Sequence, residues 1–172
     1  EAAKSLGVVI LSDTQSAITV AENAVLSAGG NLALSASAEN KISAKGSSVS
    51  SKEKGHDSNT SIALMYGELS GKTQVSVAQN TQLNAGNNVA LKATTTLENS
   101  VGAETKSKDS SFAGAAIALA FSEVENEVYS DGKISAKNVE ITSSLTSKGV
   151  YAGAKSGVSY CQDATSCVAE GV

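Results

Sequence analysis

The stretch Thr81-Gln-Leu-Asn-Ala-Gly-Asn-Asn-Val-Ala-Leu-Lys-Ala93 decides the fold. It reads as two short strands, Leu83–Ala85 and Val89–Ala93, folded about a Gly-Asn-Asn corner. A near-copy precedes it at Ala24-Val-Leu-Ser-Ala-Gly-Gly-Asn-Leu-Ala-Leu-Ser-Ala36, and a weaker one follows at Lys133-Ile-Ser-Ala-Lys-Asn-Val-Glu-Ile-Thr142. The strand ending at Ala21-Glu-Asn23 recurs at Ala78-Gln-Asn80, and the same spacing relates Gly29-Gly-Asn31 to Gly86-Asn-Asn88. One offset shared by two separate motifs marks an internal repeat.

Outward from the corners, Leu32, Leu34, Ala36, Asn40, Ile42 and Ala44 keep one parity, as do Val89, Leu91, Ala93, Leu97, Asn99, Val101 and Ala103. Period two with Ser, Thr, Lys and Glu between means extended chain with one buried face. Leu6, Val8 and Ile10 start the chain in the same way, and Asp13–Ser16 reads as a turn. Ile62–Leu69 and Ile117–Val124 match at an offset of 55, with a switch of apolar parity after Tyr66 and Phe121 that predicts a corner or bulge. Asn40 and Asn99 are read as matched inward amides satisfying one another or backbone groups at a corner. Lys45–Asn59 and Glu104–Ser111 break the pattern and are expected to project as polar loops on one flank.

Composition narrows the class. Of 172 residues 41% are hydrophobic but only 3% aromatic, with no Trp, so a core must be built from Ala, Val, Ile and Leu in thin layers. There is no Pro to interrupt a ladder. The net charge is −4 and every basic residue is Lys, which disfavours a nucleic-acid partner. No apolar run approaches the roughly 20 residues of a helical membrane span. The opening Glu1-Ala-Ala-Lys-Ser lacks the basic start and apolar core of a leader, so the chain reads as mature, cytoplasmic or a piece of something larger.

The corner units at 25–36, 83–93 and 134–142 resemble repeats of filamentous-haemagglutinin-type exoproteins, and Gly114–Val128 is similar to linking strands of large bacterial surface adhesins and leukotoxin-like exoproteins. The resemblance covers roughly residues 17–145. It implies an all-β, right-handed parallel β-helix (a β-solenoid) within a long secreted or cell-surface rod. It implies no catalytic residues, so the chain is expected not to be an enzyme and to need no cofactor. The partner it implies is a host or neighbouring-cell surface, protein or glycan, met by a stiff spacer presenting loops. Two alternatives stand beside it: a filament subunit associating end to end, and a carbohydrate-active β-helix enzyme.

The enzyme alternative would use Glu123, Glu125 and Glu127, which alternate along one outward face and could serve acid–base chemistry or a divalent cation. A solvated strand face is the plainer reading. His56 is the only histidine and sits in a charged loop, which leaves no ordinary histidine metal site. Candidate contact residues on the two loops are Lys52, Lys54, His56, Asp57, Lys106, Lys108 and Asp109. Residues 1–157 form the repeat region, and 158–172 a C-terminal segment. Five residues separate Cys161 from Cys167; in an exported protein this predicts a small disulfide loop, in a cytosolic one two free thiols. About six turns are expected, and at ~4.8 Å per strand they would make a stub on the order of 30 Å long.

Overall fold

The structure, a computed structural model, describes residues 4–50, 60–107, 113–163 and 166–171, with side chains described over 5–49, 60–106 and 114–156. Its strands are β1 (Lys4–Val20), β2 (Val25–Ala28), β3 (Leu32–Ser50), β4 (Thr60–Val77), β5 (Gln82–Ala85), β6 (Asn88–Ser107), β7 (Ala113–Ser130), β8 (Lys133–Ser135), β9 (Asn138–Asp163) and β10 (Ser166–Gly171). Long, short and long strands recur three times. Each trio stacks in parallel register on the next, giving sheets β1-β4-β7, β2-β5-β8 and β3-β6-β9, with β10 added antiparallel to β9. The fold is a parallel β-solenoid.

One repeat is one coil, not two. Three coils replace the six expected turns, so the stack is only on the order of 10–15 Å tall, while its long strands reach roughly 55–65 Å. The turn expected at Asp13–Ser16 is continuous strand, in which Ser12, Thr14 and Ser16 pair with Leu69, Gly71 and Thr73. Small hydroxyl side chains on the inward parity fit between two facing sheets without ending the strand. The loops also begin later than expected: β3 runs to Ser50 and β6 to Ser107, while 51–59 and 108–112 lie outside the described residues.

The parity switch after Tyr66 does not occur. Ala63, Met65, Leu69, Val75 and Val77 all face inward on one uninterrupted parity, whereas Ile62 and Leu64 face out and are exposed. By size alone the larger aliphatics would take the core face, but the narrow gap between sheets selects Ala and Gly there. The same preference sets the register: Ala63, Met65 and Gly67 lie opposite Ala116, Ala118 and Ala120, a step of 53 rather than 55.

Two apolar clusters fill the coil. One, at the short-strand end, gathers Val20, Ala36, Val75, Val77, Leu83, Val89, Leu91 and Ala93; the other gathers Ile42, Ala63, Met65, Leu69, Leu97, Val101 and Ala103. Each fully buried Val or Leu contributes about 1.5–3 kcal/mol. Between the clusters runs a polar seam. Thr95 Oγ1 lies 2.7 Å from Thr73 Oγ1 and 3.3 Å from Asn126 Oδ1, and Asn126 Nδ2 donates to the Ala93 carbonyl at 3.1 Å. These bonds tie the two long sheets together between the clusters.

The corners carry the ladder around the coil. Asn23 and Asn80 adopt left-handed backbone, with φ of 62° and 59°, a conformation Asn tolerates better than branched residues. At the next corner Gly86 N–H donates to the Ala28 carbonyl and Asn87 N–H to the Gly30 carbonyl, each at 2.9 Å. The quoted corner stretch is therefore where one coil hands its hydrogen bonds to the next.

Candidate functional site

Alternation on the long strands puts every second side chain on an outer face, and the parallel register aligns those side chains in rows across the coils. On β1-β4-β7 one row is Gln15, Lys72 and Glu125, flanked by Asp13, Ser70 and Glu123 on one side and Ala17, Gln74 and Glu127 on the other. Lys72 Nζ lies 2.8 Å from Glu125 and 3.2 Å from Glu127, and Gln74 Nε2 donates to Glu127 at 3.2 Å. The hydrogen bond to Glu125, then that to Glu127, raises the Lys72 pKa above the ordinary lysine value. Two of the three candidate acids are thus clamped by one ammonium on an open face. Among the described residues, no group of three His, Cys, Asp or Glu is placed to hold a metal ion.

The concave feature lies on the opposite side, on the outer face of β3-β6-β9. Its rows are Ser43, Ser100 and Tyr151; Lys45, Gly102 and Gly153; and Ser47, Glu104 and Lys155. Ser43, Lys45, Ser100, Gly102, Glu104, Tyr151, Gly153 and Lys155 line a cleft of ≈ 690 Å³. Gly102 and Gly153 form its floor because neither has a side chain to fill it. The Tyr151 ring leans over Gly153, where an added Cβ would fall 2.8 Å from Cε1 and 2.7 Å from the hydroxyl oxygen.

Glu104 is buried at the end of this cleft, though it lies on the outward parity. Lys106 approaches it at 3.1 Å and Lys45 at 3.7 Å. The Lys106 hydrogen bond holds its carboxyl below the usual glutamate range, with the charges of Lys106, Lys45 and Lys155 adding to the effect after burial has opposed it. The cleft therefore presents an exposed aromatic ring, hydroxyls of Ser43 and Ser100, and lysines outnumbering their one carboxylate. Such a surface can stack a ring and hydrogen-bond its substituents, with a bias to anionic ones.

Of the loop residues expected to make contacts, only Lys106 is described, and it lies next to last in β6, in the ion pair with Glu104. Lys52, Lys54, His56, Asp57, Lys108 and Asp109 lie outside the described residues. Cys161 and Cys167 face each other in the backbone register of the β9–β10 hairpin, but their side chains, and so the expected disulfide, lie outside the described residues. The cleft residues were missed because parity was used to find the core. Outward glycines at matched rows, Gly102 and Gly153, were the available signal.

No family model, curated protein or solved structure matches this chain.

Proposed function

We propose that this chain is a stiff spacer and contact segment of a secreted or surface-exposed bacterial exoprotein, meeting a glycan-bearing or protein surface of a host or neighbouring cell. The observation that carries the reading is the parallel ladder, which runs through both long strands and the corners of all three coils, broken only by a one-residue bulge at Lys148 in the β6–β9 pairing among the described residues. Coils joined along such lengths resist bending, and their rows of outer side chains form fixed arrays. The cleft over Gly102 and Gly153 supplies a contact face within that array. Lys72 weighs against the carbohydrate-cleaving alternative, because it engages two of the three candidate carboxylates in ion pairs on an open face.

The test is binding of the full chain to an array of neutral and acidic glycans and to intact cells, beside the Tyr151→Ser and Lys155→Ala variants. Binding that falls about 2- to 13-fold in Tyr151→Ser and at least about tenfold in Lys155→Ala is expected, since stacking is worth about 0.5–1.5 kcal/mol and a charge-assisted hydrogen bond about 1.5–3 kcal/mol. Binding that neither substitution changes would remove the cleft from the proposal. Absence of binding to any surface would remove the adhesive role.

A further inference from the structure

The outer face of β1-β4-β7 is divided along its strands. Towards the strand ends the rows are acidic and polar; towards the strand starts they are apolar. Four successive rows there read Ser5, Ile62, Ala115; Gly7, Leu64, Ile117; Val9, Tyr66, Leu119; and Leu11, Glu68, Phe121. Val9, Leu11, Ile62, Leu64, Ile117, Leu119 and Phe121 are all exposed, Leu11 to 69% and Phe121 to 52%. Tyr66 and Phe121 pack against each other on this face with ring centroids 5.6 Å apart and planes tilted by 35°, and the Tyr66 hydroxyl donates to Glu68 at 2.7 Å. Three strands by four rows make roughly 400 Å² of largely apolar footprint. A contiguous patch of that size is comparable to the largest one a monomer carries, which is often functional.

We propose that this face pairs with the same face of a second copy, sheet on sheet, with the strands of the two copies antiparallel. Two features select a second copy in that orientation. The first is size complementarity. A two-fold axis running along the stacking direction between the second and third rows sets the first row against the fourth and the second against the third. Ser5 then meets Leu11, Gly7 meets Val9 and Ala115 meets Phe121, small against large on the two outer strands, while Leu64 meets Tyr66, Ile117 meets Leu119 and Ile62 meets Glu68. A face that complements itself is what a two-fold interface requires. The second is charge. Asp13, Glu123, Glu125 and Glu127 outnumber Lys72 on the acidic half. A parallel pairing would stack those carboxylates on one another, whereas the antiparallel one carries the two acidic halves to opposite ends. Glu68 falls in the outermost apolar row, at the interface rim beside the Tyr66 hydroxyl. The footprint is at the small end for a specific interface, so the pairing is weak and concentration-dependent.

Sedimentation velocity of the full chain, from low to high micromolar concentration, tests this. A reversible monomer–dimer equilibrium is expected, weakened at least tenfold by Leu64→Glu and by the milder Leu64→Thr, with the strand signal in circular dichroism unchanged. Ile141→Glu, on the open end of the last coil, leaves it unaltered, and so does joint neutralisation by Glu125→Gln and Glu127→Gln. A monomer at every concentration overturns the proposal. So does a dimer lost in Ile141→Glu but kept in both Leu64 variants, which would be end-to-end stacking. A dimer strengthened by neutralising the two glutamates overturns the antiparallel arrangement.

Discussion

Asn40 lies opposite Leu97 across the β3–β6 ladder and Asn99 lies opposite Ile42, so the two buried amides sit one diagonal step apart. Of the two expected arrangements, the amides do not satisfy one another, and Asn99 alone satisfies backbone groups. Their surroundings differ sharply. Asn99 Nδ2 lies 2.7 Å from the Phe121 carbonyl oxygen, 3.1 Å from Ser122 Oγ and 3.3 Å from the Gly67 carbonyl oxygen, which bridges the two long sheets. Asn40 is 1% exposed, and neither atom of its amide has a hydrogen-bond partner among the described residues.

Opposite responses to one substitution follow. Asn99→Leu strips the Phe121 and Gly67 carbonyls of a shared donor and should lower unfolding stability by about 1–3 kcal/mol. Asn40→Leu removes a desolvated amide that gains nothing from the protein and should be neutral or stabilising by up to about 2 kcal/mol. Chemical denaturation of the two variants beside the parent chain measures both. Equal destabilisation would show that Asn40 is satisfied as fully as Asn99.

The corners make a second test. Asn80→Val forces a β-branched side chain into left-handed backbone, which costs about 1–2 kcal/mol, whereas Asn80→Gly should be close to neutral. Gly86 is more restrictive: a Cβ there would fall 2.0 Å from the Gly29 carbonyl oxygen of the coil below. Gly86→Ala must push two coils apart, and thermal unfolding should show a larger loss than for Asn80→Val.

These corners were legible in the sequence because αL asparagines and tight glycines recur wherever the backbone repeats. The period-two strands were legible for the same reason. What stayed hidden was which parity faces in when both carry apolar residues. Ile62, Leu64, Ile117 and Leu119 are stronger core residues than Ala63, Ala116 and Ala118 by size, yet they lie outside. Close approach of the two sheets, visible only in three dimensions, gives the inner positions to the small residues. The number of coils was missed because Ser12, Thr14 and Ser16 look like a turn unless the facing sheet is known. The cleft was hidden because its marker is an absence of side chain at Gly102 and Gly153 on rows that adjoin only through the ladder.

Ion pairs between coils and along β6 set the acid limit of the fold. Hydrogen bonds from Lys41, Lys106 and Lys92 hold the carboxyls of Glu98, Glu104 and Glu140 below the ordinary glutamate value. A carboxyl whose pKa is lower folded than unfolded adds stability that is fully present above the unfolded value, about 4.3, and is lost as pH falls through the folded one. Melting temperature should thus hold steady from pH 7 to about 5 and decline below about 4.5. Glu104, the buried member, should account for the largest share, so Glu104→Gln should flatten the decline more than Glu140→Gln. Salt should reduce the contribution of the exposed Lys41–Glu98 and Lys92–Glu140 pairs first.

The narrow gap between the long sheets can be probed at Gly67. A Cβ added there would fall 2.6 Å from Val101 Cγ1 and 3.2 Å from Asn99 Oδ1. Val101 is fully buried and cannot swing into solvent, so Gly67→Ala should overpack the second apolar cluster and cost about 1–3 kcal/mol. Val101→Ala alone leaves a cavity and should cost about 1–3 kcal/mol through lost burial. Combined, the new methyl occupies the space the valine gives up, and the double variant should be more stable than the sum of the single losses predicts. A double-mutant cycle in urea measures that coupling directly, with at least about 0.5 kcal/mol expected for residues in contact. Strictly additive losses would mean that Gly67 is held by its backbone carbonyl and the Asn99 amide rather than by the spacing between the sheets.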